Sequence, residues 1–180
     1  MIWVIVTIAL VVIVAVFIGG SNKEKNTKSA MQKNGLKESE FHKTESKYIG
    51  GHPKKDDVVE YVWYRIADEK LMFYERFTSI DVPKFHFDIP ISAITDIQYN
   101  DATTMENKVT LGRVLLIGVF ALAWKKKKKN EIAFVTIDWN DGKFNHTTTF
   151  SVEDKDANTK ANALRNKLIN AVNSVEKLQQ

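Results

Sequence analysis

The chain has 180 residues and a mass of 20.6 kDa, the size of one ordinary domain with additions. Hydrophobic residues make up 44% and charged residues 27%, which supplies a core and excludes wholesale disorder; the absence of cysteine excludes disulfides, thiolate metal sites and a cysteine nucleophile. The formal net charge is +4, but Lys125, Lys126, Lys127, Lys128 and Lys129 are five of the 26 basic residues, and without them 21 basic residues face 22 acidic ones. The chain is therefore near neutral with a single basic spike, a pattern that fits a membrane surface better than a nucleic-acid partner, which calls for a spread basic face.

Residues 1–18 read MIWVIVTIALVVIVAVFI, with Thr7 the only polar side chain. At about 1.5 Å per residue such a helix is roughly 27 Å long, close to the hydrocarbon thickness of a bilayer. No Lys or Arg precedes the run, and Phe17-Ile18-Gly19 is a poor cleavage site, so an uncleaved transmembrane anchor over 1–20 is predicted in preference to a signal peptide. The following flank carries Lys23, Lys25, Lys28, Lys33 and Lys37 against Glu24 and Glu38. Lysine resists translocation, which predicts a single pass with the N-terminus out and the bulk of the chain cytoplasmic. Residues 21–56 are polar and weakly periodic, and are expected to form a flexible linker with a short helical piece near Ala30, ending at Gly50-Gly51-His52-Pro53.

The texture then becomes β-rich. Val58 to Ile66 is β-branched and aromatic, Asp68-Glu69-Lys70 is a turn, and Leu71 to Phe77 is its hairpin partner. Phe85 and Phe87 are expected on one face of a short strand bracketed by Pro83 and Pro90. A strand follows over Ile94 to Tyr99. Glu131 to Trp139, the Asn140-Asp141-Gly142 turn and Phe144 to Val152 read as a hairpin, with His146, Thr148, Phe150 and Val152 on one face. Asp154 or Asp156 can cap a final helix whose apolar stripe is Ala161, Leu164, Leu168, Ala171 or Val172, Val175 and Leu178. That stripe is expected to close the open end of a small barrel or sandwich, a coiled coil being the alternative.

Catalytic and metal chemistry is not visible. His42, His52, His86 and His146 are scattered, with no HExxH or HxH spacing, and no P-loop, G-x-S-x-G or G-x-G-x-x-G is present. The acidic pairs Asp56-Asp57 and Asp68-Glu69 fall at turns, and Asp154 with Asp156 lacks the Gly and distal Glu of a calcium loop. Asn145-His146-Thr147 matches a glycosylation sequon but falls on the predicted cytoplasmic side. Tyr61, Trp63 and Tyr64 read as core aromatics in preference to a base-stacking platform. No cofactor is expected.

This order of strands, a long interruption, an Asn-Asp-Gly hairpin and one terminal amphipathic helix is similar to the pleckstrin-homology-like superfold, and closest to the bacterial PH-like and GRAM-like modules. The stretch Phe85 to Ile97 resembles their strand that runs into an I-x-x-I strand. Ile132 to Asp138 with Gly142 and Thr149-Phe150 resembles their last hairpin. The resemblance covers 57–179 and implies a mainly β (α+β) fold, a small barrel or orthogonal sandwich closed by the C-terminal helix. The first hairpin lacks the basic motif of phosphoinositide-binding members.

The interruption at 110–130 is the unusual segment. Val114 to Trp124 is eleven apolar residues, about 16 Å as a helix and short for a span. Extension backwards meets Arg113, a charge costing about 2.5–3.5 kcal/mol at mid-membrane. Two readings stay open beside an unfavoured second span: core of the β domain, or a membrane-dipping element bounded by Arg113 on one side and Trp124 with Lys125 to Lys129 on the other. The function expected is a non-catalytic, membrane-tethered binding module at the inner leaflet, holding a lipid surface, a peptide or a partner protein. The alternative is a structural subunit of a membrane complex, with 110–124 as a protein interface.

Overall fold

The computed structural model describes residues 31–32, 35–75, 83–110 and 131–177. Among these no helix is long and apolar enough to cross a membrane, and the expected span at 1–20 lies outside them. The chain divides into two units, residues 1–41 with 77–84, and residues 42–76 with 85–180. In the first, Gly35 takes a left-handed φ of 67°, and its N–H reaches Gln32 O at 3.1 Å, ending a helical turn before the 3₁₀ turn Glu38–Glu40.

The second unit holds every described strand. They are β1 (Ser46–Gly50), β2 (Val62–Ala67), β3 (Lys70–Glu75), β4 (Phe85–Pro90), β5 (Ile94–Asp101), β6 (Glu131–Asn140) and β7 (Asn145–Asp154). Helix α1 (Ala102–Thr110) follows β5, and helix α2 (Ala157–Glu176) follows β7. All pairing is antiparallel, in a four-stranded sheet β1-β7-β6-β5 and a three-stranded sheet β2-β3-β4. The fold is thus mainly β with a C-terminal helix.

The barrel alternative is corrected, because the sheets do not close. Between β4 and β5 the chain passes Pro90, which offers no N–H, and the 3₁₀ turn Ile91–Ala93. On the other side, among the described residues, the backbone around β1 pairs with the chain at β2 through the isolated bridges His42↔Tyr64 and Tyr48↔Val59 and forms no continuous ladder.

Cross-strand partners share a face, so register shows what fills the core. Ala133, Val135, Ile137 and Trp139 of β6 oppose Val152, Phe150, Thr148 and His146 of β7, the face expected from the alternation. These pack with Leu71, Phe73, Phe87 and Ile89 of the smaller sheet and with Ala157, Ala161, Leu164, Leu168 and Val172 of α2. Each fully buried Leu or Phe side chain contributes about 1.5–3 kcal/mol. The opposite face of β6 and β7 is also buried at its centre, at Phe134, Thr136, Thr149 and Ser151.

Four local expectations differ from the structure. Ser46–Gly50, inside the stretch read as tether, is β1, with Tyr48 fully buried. Phe85 and Phe87 sit on opposite faces, because a bulge at His86 pairs Phe87 with Phe73 but Phe85 with Tyr74. The strand expected from Val58 is β2 and begins at Val62, and Tyr61, at φ 55°, is exposed, while Trp63 and Tyr64 are buried. Asp156 stands at the N-cap of α2 with ψ 30°, outside the extended conformation that lets a cap side chain reach back, and makes no side-chain cap bond.

Candidate functional site

The predicted membrane-contact residues, Arg113, Trp124 and Lys125 to Lys129, lie outside the described residues. Their frame is described. β5 and β6 pair from Ile94↔Trp139 to Asp101↔Ala133, so the whole of 102–130 departs from and returns to adjacent strand ends. Its first part is α1. The Asp101 carboxylate caps that helix by accepting the Thr104 N–H at 2.7 Å, and these hydrogen bonds hold it below the usual carboxylate range. Met105 is buried and fastens α1 to the unit.

The histidines are structural in their surroundings. His52 is stacked between Phe87 at 4.4 Å and Trp139 at 5.2 Å. Its Nδ1 accepts the Lys54 N–H at 3.2 Å, so Nε2 carries the proton and donates to Asp88 O, also at 3.2 Å. Burial lowers the His52 pKa, and the imidazole bolts the two sheets together as a neutral ring. His146 lies against Trp139 at 4.5 Å and binds the Asp141 carboxylate at 2.8 Å. That contact, with the Phe144 and Lys143 amides, draws Asp141 down to about 2. Trp139 in turn donates Nε1–H to Thr148 Oγ1 at 2.9 Å. His86 faces Glu75 at 3.4 Å, and His42 stacks on Tyr64 at 4.8 Å. Among the described residues no three His, Cys, Asp or Glu side chains converge to hold a metal.

A concave site lies where β1 and β2 part company beside α2. Between the bridges at His42 and Tyr48, backbone pairing is replaced by side-chain bonds. The Thr44 hydroxyl donates to Val62 O and accepts the Ser46 N–H at 3.2 Å. Outside this seam is a groove of about 250 Å³, walled by Lys43, Glu45, Val152, Lys160, Ala163 and Lys167. Inside it is a small cavity of about 10 Å³, bounded by Val62, Tyr64, Phe73, Phe150 and Leu168. Thr44, Ser46 and Leu164 belong to both, so they form the partition between them. Tyr64 is 1% exposed, and its buried hydroxyl has no hydrogen-bond partner among the described residues. Burial pushes its phenol up to about 12, which keeps it a neutral donor.

At the groove mouth the Lys160 ammonium meets Asp154 at 2.9 Å and Glu45 at 2.5 Å; these carboxylates raise its pKa. Exposed ion pairs of this kind are weak, so the ammonium can exchange partners at little cost. The Lys43 ammonium sits 5.0 Å from the Trp63 ring centroid. Sequence reasoning missed this site. Its only linear trace is Lys160 and Lys167 flanking Leu164 at helical spacing, and nothing in the sequence ties those three to Lys43 or Tyr64. Comparison with protein-family models, with curated proteins and with solved structures finds no match for this chain.

Proposed function

We propose that the chain is a non-catalytic binding module of PH-like architecture, tethered by residues 1–20 and acting at the inner leaflet of the cell membrane. The observation that supports this reading is the β5–β6 connection. Two residues suffice to join antiparallel neighbours, yet here 102–130 intervenes, and its latter part holds Val114 to Trp124 and Lys125 to Lys129. An apolar run ending in Trp and five lysines suits the boundary of an anionic leaflet, where each lysine contributes about 1 kcal/mol. A domain already anchored needs only a weak second contact, because its effective concentration at the surface is high.

The test is flotation of a chain lacking residues 1–30 with vesicles of phosphatidylglycerol and phosphatidylcholine. Binding should fall steeply with salt and on changing Lys125 to Lys129 to Gln. A chain that ignores anionic vesicles but co-purifies with one protein would favour the structural-subunit reading. Cysteine labelling at positions 60, 127 and 170 of the full chain in intact cells tests the topology. All three should be protected from an external reagent, and labelling of position 170 from outside would overturn the single-pass arrangement.

A further inference from the structure

The four strands of the larger sheet align Ser46 with Val152, Val152 with Ala133, and Ala133 with Asp101. Neighbouring strands lie about 4.8 Å apart, so this row is about 14 Å wide. Three chain passages meet it: the approach to β1 from the predicted anchor, the exit from β5 into 102–130, and the return into β6. The opposite end holds tight turns. The β6–β7 hairpin turns there, Ile94 pairs with Trp139, and the Ile91 N–H donates to Glu69 O at 2.9 Å, which brings the β2–β3 turn alongside. We propose that the unit stands upright on an anionic leaflet, with the row Ser46, Val152, Ala133 and Asp101 towards the lipid and the Asn140–Asn145 hairpin tip away from it. This inference rests on the reading above, that residues 1–20 anchor the chain and that Lys125 to Lys129 touch the leaflet.

Covalent reach excludes the inverted arrangement. Lys129 is two residues from Glu131 and Lys125 is six. At no more than about 3.6 Å per residue, their Cα atoms lie within about 7 Å and 22 Å of the start of β6, whatever path the chain takes. Strand β6, from Glu131 to Asn140, is about 31 Å long. A leaflet at the hairpin tip is therefore beyond the backbone reach of all five lysines. Charge separates the upright arrangement from a flat one. Near the row, Lys160 pairs with Glu45 and Asp154, and Lys47 with Glu153, so several carboxylates there are matched before the five lysines are added. The far turns expose Asp68, Glu69 and Asp141. An anionic leaflet repels these within a Debye length of about 8 Å, and lifting the far end beyond that distance costs no lysine contact.

Phe144 gains a different meaning in this arrangement. It is 57% exposed on the hairpin, with the Lys143 ammonium 5.0 Å from its ring centroid, a pairing that suits a membrane wedge. Upright, it stands about 30 Å from the lipid-facing row and meets no lipid.

The chain has no cysteine, so single fluorophores can be placed on it one at a time. Exposed positions serve: Glu131→Cys and Lys155→Cys beside the row, Lys54→Cys and Lys143→Cys at the far end. Each labelled full-length chain is reconstituted in nanodiscs of phosphatidylglycerol and phosphatidylcholine, a fraction of the lipid carrying a nitroxide on its head group. Emission should be lost at positions 131 and 155 and kept at 54 and 143. Changing Lys125 to Lys129 to Gln should abolish that difference, because residues 21–45 alone are long enough to let the unit turn over. Equal loss at all four positions is the mark of a flat unit and overturns the proposal. Greater loss at 54 and 143, no loss anywhere, or a difference that survives the glutamine changes overturns it as well. The flotation assay above tells the two failures apart. A chain that floats on anionic vesicles yet gives one of these results has lost the orientation alone, and one that does not float has lost the leaflet contact too.

Discussion

Gly51 and Gly142 offer a matched test of how the chain end of β1 is seated. Both have nearly the same left-handed φ, 93° and 91°. A Cβ at Gly142 meets nothing within 4 Å, whereas a Cβ at Gly51 would stand 1.9 Å from the Thr147 carbonyl oxygen on the β6–β7 hairpin. Alanine at either position incurs the left-handed penalty of about 1–2 kcal/mol, offset in part by about 0.4–1 kcal/mol from a stiffer unfolded chain. Gly142→Ala should therefore cost about 1 kcal/mol or less. At Gly51 the added carbon must gain about 1.5 Å of clearance to reach normal contact, and its neighbours, the Thr147 carbonyl and Thr148 Cα, are all backbone, so none can rotate away. Overpacking of this kind adds about 1–3 kcal/mol, which brings Gly51→Ala to about 2–4 kcal/mol, a large part of a stability of about 5–15 kcal/mol. For a chain of this size, each kcal/mol lowers Tm by about 2–4 °C. Thermal melts of the full chain followed by far-ultraviolet circular dichroism, in a mild non-ionic detergent, should separate the two variants by roughly 2–12 °C, with Gly51→Ala the lower. Equal melting of Gly51→Ala and Gly142→Ala would refute the close approach of β1 to the hairpin.

Three further outcomes follow from the same coordinates. Because burial lowers the His52 pKa, the unfolded chain binds more protons below about pH 6.5; stability is full above that value and falls as pH drops towards the folded pKa. Melts between about pH 7.5 and pH 5.5 should show this slope in the wild type and a shallower one in His52→Gln; identical slopes would remove His52 from the account. Asp101→Ala should remove the cap of α1 at a cost of about 1 kcal/mol and speed hydrogen exchange at the amides of Thr103 and Thr104, with β7 amides unchanged. Leu168→Ala, at a site 1% exposed on the buried face of α2, should cost about 2–5 kcal/mol in the same melts.

Strand alternation and turn chemistry were legible without coordinates where one residue pattern dominated. The Asn140-Asp141-Gly142 turn needs its glycine at φ 91°, and both flanking strands pair in the register their alternation implies. The α2 stripe was legible too, since Ala161, Leu164, Leu168 and Val172 are all buried. Other features depend on distant partners and leave no local trace. β1 is a short polar-flanked strand whose identity comes from pairing with β7, and the Phe85–Phe87 split comes from a bulge set by β3. Asp68 and Glu69 both take positive φ, which their sequence alone does not ask for; the twist of the β2–β3 hairpin imposes it. The groove escaped because it is assembled from β1, the approach to it and α2, whose residues are far apart in sequence.

The pairing of β1 with β7, from Ser46↔Val152 to Gly50↔Thr149, has a consequence for biogenesis. The earliest strand of the unit must wait for the last one to leave the ribosome before it has a ladder partner, a separation of about a hundred residues. Throughout that interval Tyr48 and its neighbours are available to chaperones or to the strand edges of other nascent copies. Truncation by even the final hairpin and helix therefore yields a species prone to aggregate instead of a smaller working fragment.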